Sequence, residues 1–259
     1  MVPSTGPFEW ASTPFTMIAT PKHVQNLSDT KTDEYVEAAS SMAVFHNLLL
    51  RSLNTIYLQA PHVKDGDKKA FVGYAYCWYD AIDAHHTGEE QEFFPWIEEA
   101  AGEKGIMDAN VEQHKIFEKG IKEYGSYLRS LKGKEKTFSG DHMRSIINSF
   151  GPPLHQHLSD EIPSLLALRK YGDKIHLNEL WDKQSIGKFT LHSAATRIPF
   201  YLCNLDRTFE DGLWKDFPEV PKLAKDFMGN WVARLNGGYW KFGACTMTGV
   251  PKELYAKGK

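Results

Sequence analysis

Cysteine is scarce in this chain. Its 259 residues include three, Cys77, Cys203 and Cys245, far apart and odd in number. They provide neither a disulfide framework nor a thiolate pair for zinc, and they suit a reducing compartment. An excess of one charge is also missing: 30 basic residues against 33 acidic ones leave a net charge of -3. No overall positive field is therefore available to hold nucleic acid or an anionic membrane. No run reaches the ~18 apolar residues that a membrane span needs. The opening MVPSTGPFEWASTPFTMIATPKH lacks a basic segment followed by an apolar one, so no secretory signal is expected and a cytoplasmic location is. G-x-S-x-G, P-loop, H-E-x-x-H and dinucleotide fingerprints are absent, which leaves those hydrolase and nucleotide chemistries without support. The lysines of KGKEK and AKGK are too few for a nucleic-acid footprint and read as solvated surface.

What is present describes a folded protein. Hydrophobic residues at 42% and charged residues at 24% match an ordinary globular chain, and the length allows one large domain or two modest ones. Residues 1–30 are rich in Pro, Ser and Thr and read as an extended arm. From there the period turns helical. Residues 33–59 place Val36, Ala39, Ala43, His46, Leu50, Leu53 and Tyr57 on one face, with Thr32 as a candidate N-cap. A second helix is expected over 68–100, with a stripe of Ala75, Trp78, Ile82, His85, Glu89, Phe93 and Trp96 and a kink or stop at Pro95. A third over 108–131 carries Asn110, His114, Phe117, Ile121, Tyr124 and Leu128. A fourth region over 139–169 is interrupted at Gly151-Pro152-Pro153 and continues with Leu154, His157, Glu161, Leu165 and Leu168. Four long helices with short connections predict an all-α, up-down-up-down four-helix bundle over 31–171. Residues 172–259 form a further extension rich in aromatics. It reads as mostly helical, over 173–193 and 219–236, with loops at FEDGLWKDFPEVP and NGGYWKFGACTMTG.

The polar residues inside the apolar stripes carry the functional signal. Each helix places one histidine there, His46, His85, His114 and His157, and two helices add a carboxylate four residues later, Glu89 and Glu161. Positions i and i+4 share a helix face, so each His/Glu pair presents nitrogen and oxygen inward at one level. One such histidine is more often a hydrogen-bonded core residue than a ligand. Four imidazoles and two carboxylates in one bundle core would carry an unpaired polar cost of several kcal/mol. A bound cation removes that cost, because lone pairs become metal bonds. Mixed nitrogen and oxygen donors without thiolate favour iron, or manganese, over structural zinc. Six donors suit two ions bridged by Glu89 and Glu161.

HHTGEEQEFFP (85–95) resembles the second-helix signature of hemerythrin-like (HHE) proteins. HLSDEIPSLLAL (157–168) resembles the fourth, VEQHKIF (111–117) the third and FHNLLL (45–50) the first. The resemblance covers residues 33–170 and implies a non-heme di-iron centre that binds dioxygen. Carried over, His46 and His85 serve one iron, His114 and His157 the other, and Glu89 and Glu161 bridge. His86 and Glu90, also four apart, offer an alternative register, or else an outer or solvent-facing role. Glu118, one turn beyond His114, is a possible extra carboxylate ligand, and His155 is expected to be no ligand. The oxygen carriers of the family have two histidines on the third helix. Here His114 matches the second and Asn110 stands at the first. Four terminal histidines in place of five imply more open coordination, and so dioxygen activation rather than reversible binding.

Three functions follow. The first is an oxidase or oxygenase acting on a small apolar or aromatic molecule. The second is a non-catalytic carrier, store or sensor of dioxygen or iron. The third is a structural metal site in an interaction module. Tyr239-Trp240-Lys241-Phe242 is expected to be part of a second small core or a cap shaping an apolar pocket beside the metals. Tyr74, Tyr76 and Tyr79 are either redox neighbours or ordinary packing residues.

Overall fold

The computed structural model describes residues 11–26, 33–185, 191–218 and 236–257. Among them the architecture is helical, with one isolated bridge between Cys245 and Pro251. Helix α1 spans Glu34–Gln59. Its N-cap is Asp33, whose carboxylate accepts from the Tyr35 and Val36 amides. Asp33 thus does the capping expected of Thr32, which lies outside the described residues. Helix α2 spans Lys68–Gly88 and runs into a π-helical turn, Glu89–Phe93, then into α3, Phe94–Ala101, which closes on Gly102 in the left-handed conformation. Helix α4 is Asp108–Ser130 and α5 is Gly140–Ala167, capped by the Ser139 hydroxyl.

Two details depart from the sequence reading. The π turn adds a residue to the helical path, so the apolar phase shifts after Glu89. Ile97 is buried where the unbroken stripe predicts Trp96, and Trp96 instead lies beneath the Lys183 ammonium at 3.8 Å. Helix α5 is also continuous through Pro152, Pro153 and Pro163 rather than broken at the first two. Each proline removes a backbone donor, but α5 is flanked along its length by α1 and α4, the two most extensive helix contacts among the described residues. Tertiary packing outweighs the local penalty.

Each helix of the set α1, α2, α4 and α5 packs on its neighbour in chain order, and α5 closes the ring on α1. This is the up-down-up-down bundle. Its interior is two apolar clusters. The larger contains Leu53, Phe71, Trp78, Tyr124 and Phe150; the smaller contains Tyr35, Met42, Phe93, Ile97 and Leu165. The stripe positions between them, along all four helices, hold His46, His85, Glu89, His114, His157 and Glu161.

The flanking segments are built into this frame. Asn54 on α1 accepts from the Phe15 amide and donates to the Ala11 and Phe15 carbonyls, and Asn47 exchanges two bonds with the Ile18 backbone. The arm is therefore stitched to α1 over residues 11–18. In the extension, Leu177–Ser185 (α6) packs on α1 and Leu191–Leu202 (α7) packs on α2. The second expected helix, 219–236, lies almost wholly outside the described residues, as do Phe189, Phe227 and Trp231. Trp240 and Phe242 join the larger bundle cluster, with Phe242 edge-on to Phe71 at 5.0 Å. The Tyr239–Phe242 segment thus belongs to the bundle core and not to a second one. Phe71 precedes His85 by fourteen residues, about 21 Å of helix, so this cap closes the end of the bundle remote from the histidines.

Candidate metal centre

The six inward donors predicted from the stripes converge. His46 Nε2 stands 3.0 Å from His85 Nε2 and 3.3 Å from Glu161 Oε2. His114 Nε2 stands 3.0 Å from His157 Nε2. Glu89 lies between the two groups, with Oε1 3.0 Å from His85 Nε2 and Oε2 3.6 Å from His114 Nε2. Glu161 Oε2 also reaches toward both, at 4.0 Å from His157 Nε2. Two sets with metal-ligand spacing result, one of His46, His85, Glu89 and Glu161, the other of His86, Glu89, His114 and His157.

His86 is the residue whose role changes most. His85 and His86 are not alternatives: adjacent positions on α2 point about 100° apart, and each faces a different set. Glu90 does not enter either set. Its carboxylate, half exposed, accepts from His114 Nδ1 at 2.7 Å. Glu118 does not join the centre; it is exposed and pairs with Lys122. Phe117, one position earlier, takes the inward place on α4. His155 faces away and donates from Nε2 to the Thr16 carbonyl.

The outer bonds fix which nitrogens carry protons. His46 Nδ1 donates to the Leu158 carbonyl at 2.8 Å. His157 Nδ1 donates to Gln113 Oε1 at 3.0 Å, and Gln113 is oriented by its own Nε2, which donates to Asp160. His114 Nδ1 donates to Glu90. A neutral ring with its proton on Nδ1 has a bare lone pair on Nε2. His114 and His157 therefore aim two lone pairs at each other across 3.0 Å. Nor is a proton the natural mediator. Burial, then the neighbouring His114 and His46, depress the His157 pKa to about 2. Burial does the same for His85 and His86, with the other imidazoles adding to it.

The acids tell the same story with opposite sign. Burial, then Glu161 and Glu90, push the Glu89 carboxyl well above the usual carboxylate range. Both oxygens of Glu89, both of Glu161 and Nε2 of His86 are buried with no hydrogen-bond partner. Five orphaned polar atoms around one space is a costly arrangement for a protein alone. It is the arrangement that a divalent cation resolves. The donor set fits the metal centre implied by the sequence.

Gln113, Asp160 and the Leu158 carbonyl were not legible as site components, because no fixed spacing marks an outer hydrogen-bond acceptor. The tyrosines considered as redox neighbours lie elsewhere. Tyr74 shares hydrogen bonds with Thr55 and Asn204 at the remote end. Tyr76 and Tyr79 meet at a tilt, ring centroids 5.8 Å apart, on the outer side of α2. The groups that flank the centre are aromatic: Phe45 is edge-on to His85 at 5.0 Å, and Trp181 of α6 and Tyr201 of α7 close over Phe45.

Acidification provides a check on this electrostatic reading. The folded-state pKa values of His85, His86 and His157 lie below the unfolded value of about 6.5. Their stabilising contribution is complete above 6.5 and is lost as pH falls toward the folded values. Glu89 acts oppositely, since its raised pKa costs stability as pH rises through it. Three histidines outweigh one acid. Metal-free protein is expected to lose on the order of 1 kcal/mol per histidine for each pH unit below 6.5, measured as urea midpoints between pH 7.5 and 5.5. A flat profile would contradict the burial argument.

Comparison with known proteins gives the class. The family model for the hemerythrin HHE cation binding domain matches residues 38–168. This is about half of the chain and contains every donor named above. The chain belongs to that family. A relative is the "Dimeric xanthone biosynthesis cluster protein R11" of Cryptosporiopsis sp. (strain 8999), 34% identical over 227 residues, covering 87% of this chain and 85% of the relative. The likeness therefore extends beyond the bundle into the extension. No solved structure gives a significant match. No helix among the described residues is long and apolar enough to cross a membrane.

Proposed function

We propose that this protein holds two iron ions between its four bundle helices and uses them to activate dioxygen for oxidation of a small, apolar or aromatic molecule. His46, His85 and Glu161 would hold one ion, His86, His114 and His157 the other, with Glu89 shared and Glu161 reaching toward both. The observation that carries the reading is the pair of buried acids, each spanning both histidine groups with its oxygens free of hydrogen bonds. Such a pair of irons supplies reversible one-electron steps and a Lewis-acidic site for dioxygen. The chain's own groups do the rest. Outer acceptors keep Nδ1 of His46, His114 and His157 protonated and Nε2 available, burial keeps His85, His86 and His157 neutral, and Phe45, Trp181 and Tyr201 keep water from the His85 side. A relative named for a xanthone biosynthesis cluster supports a role in the biosynthesis of a small molecule.

A second reading is favoured by one observation. With His86 included, the centre offers five histidines rather than four, which leaves less open coordination than Asn110 alone implies. Five histidines fit a non-catalytic carrier, store or sensor of dioxygen or iron. One experiment separates the two. Purified protein is expected to contain about two irons per chain. The reduced protein is then exposed to dioxygen and evacuated. Irreversible consumption, accelerated by a small aromatic substrate, supports the oxidase or oxygenase. Quantitative return of dioxygen supports the carrier, and protein without bound metal refutes both.

A further inference from the structure

A second recess lies away from the histidines. It is a half-open groove of about 750 Å³ between α2, the end of α4, α7 and Tyr239, within the ~300–1,000 Å³ of small-molecule sites. Tyr76 lines it, and His85 follows nine residues later, two and a half turns on and half-way round the helix. The groove therefore sits on the opposite side of α2 from the candidate metal centre.

Its walls are built rather than accidental. Gly73 lies mid-helix in α2, where glycine costs about 1 kcal/mol relative to alanine. A Cβ there would overlap the Tyr239 ring, so the glycine is what lets Tyr239 lie across the helix as one wall. Gly125 on α4 does the same for Tyr79, on which the Arg129 guanidinium stacks at 5.4 Å and against which Tyr76 leans at 5.8 Å. Val72 and Leu128 add apolar lining. The charge is unbalanced. Lys69, Arg129 and Lys132 face Asp80 and Glu135. Asp80 is already held by Arg197 through two bonds of 2.6 and 3.1 Å, and Glu135 accepts from the Gly133 amide. Backbone amides and, more weakly, Lys69 hold the Glu135 carboxyl below its usual range, so Lys69 is partly offset within the groove; Lys132 enters no ion pair among the described residues. The result is an aromatic, cationic recess on a chain whose net charge is -3.

We propose that this groove binds a small planar aromatic carboxylate, its ring between Tyr76 and Tyr239 and its carboxylate toward Lys69 and Lys132. Ring stacking and apolar lining provide contact area, and the two ammoniums provide selection for the anion. The site stands independently of the metal centre. The test is calorimetric titration of the full-length, metal-loaded protein with 2-naphthoate, and with neutral 2-naphthylmethanol as its uncharged counterpart. Saturable binding of 2-naphthoate is expected. It should weaken about tenfold or more in the double variant K69M/K132M, and again in Y76A. These are surface positions, and circular dichroism will confirm that each variant is folded. The alcohol should bind at least tenfold more weakly than the acid and be indifferent to K69M/K132M. No binding at about 1 mM 2-naphthoate, or an affinity unchanged in K69M/K132M, overturns the proposal.

Discussion

Replacing Glu89 with glutamine is expected to change stability in opposite directions with and without iron. In metal-free protein the carboxyl is fully buried, has no hydrogen-bond partner and sits near Glu161. A neutral amide whose NH2 can donate where the carboxylate only accepts removes the repulsion with Glu161 and part of the unsatisfied-acceptor cost, and should stabilise the fold by about 1–3 kcal/mol. In iron-loaded protein the same change turns one of the two carboxylate oxygens, which face different histidine groups, into an NH2 that cannot ligate, so the side chain can no longer serve both. A ligand at a thousand times its Kd adds about 4 kcal/mol. For a chain of this size that raises Tm by roughly 10 °C. E89Q should lose most of that increment and most of its bound iron. Thermal melts with and without iron, paired with metal analysis, should therefore cross over. A variant less stable than wild type in both conditions would mean that Glu89 is a packing residue and not a ligand.

The second large effect concerns the extension. Deleting residues 172–259 is expected to leave a chain without cooperative unfolding, although the deletion spares every histidine named here. The reason lies in what the bundle buries against those residues. Phe200, Trp214, Trp240 and Phe242 belong to the same apolar cluster as Phe71 and Trp78. Emptying even one large aromatic site costs about 3–5 kcal/mol, and a whole domain holds only about 5–15. Polar groups would also be stranded. Tyr74 donates to Asn204, Gln59 donates to the Phe242 carbonyl and accepts from the Ala256 amide, and the buried Arg51 guanidinium lies 3.6 Å from Asp206. A sigmoidal urea transition and a native near-ultraviolet spectrum from the 1–171 fragment would show the bundle to be self-sufficient. Phe242→Ala in the full chain gives the graded version, a loss of about 3–5 kcal/mol.

The fold was legible because four amphipathic stripes are long and their period survives almost everywhere. It failed where a covalent or geometric event resets the phase. At Glu89–Phe93 the extra residue of the π turn moved Ile97 into the place assigned to Trp96, and no residue type announces such a turn. At Pro152-Pro153 the local rule said break, and contact with two neighbouring helices overruled it. The site was legible to the same depth. The i, i+4 rule brought out His85/Glu89 and His157/Glu161, because a carboxylate in an apolar stripe is conspicuous. His86 carries no such mark, because His85 beside it already continues the stripe, while a bundle interior surrounds a helix on more than one side. Glu118 was overvalued, since i+4 from His114 lies about 40° beyond it and Phe117 already fills the inward position. The place of Tyr239–Phe242 was beyond reach, because nothing in a loop's composition says which end of a bundle it covers.

The outer acceptors have a wider consequence. The rings of His46, His114 and His157 are each latched by a group from another segment: the Leu158 carbonyl on α5, Glu90 beyond α2, and Gln113 on α4. A half-assembled bundle would leave those imidazoles spinning, with their nitrogens scattered. Cation uptake would then act as an inspection step that only a fully wound molecule passes. The metal content of a preparation becomes a gauge of how much of it is native.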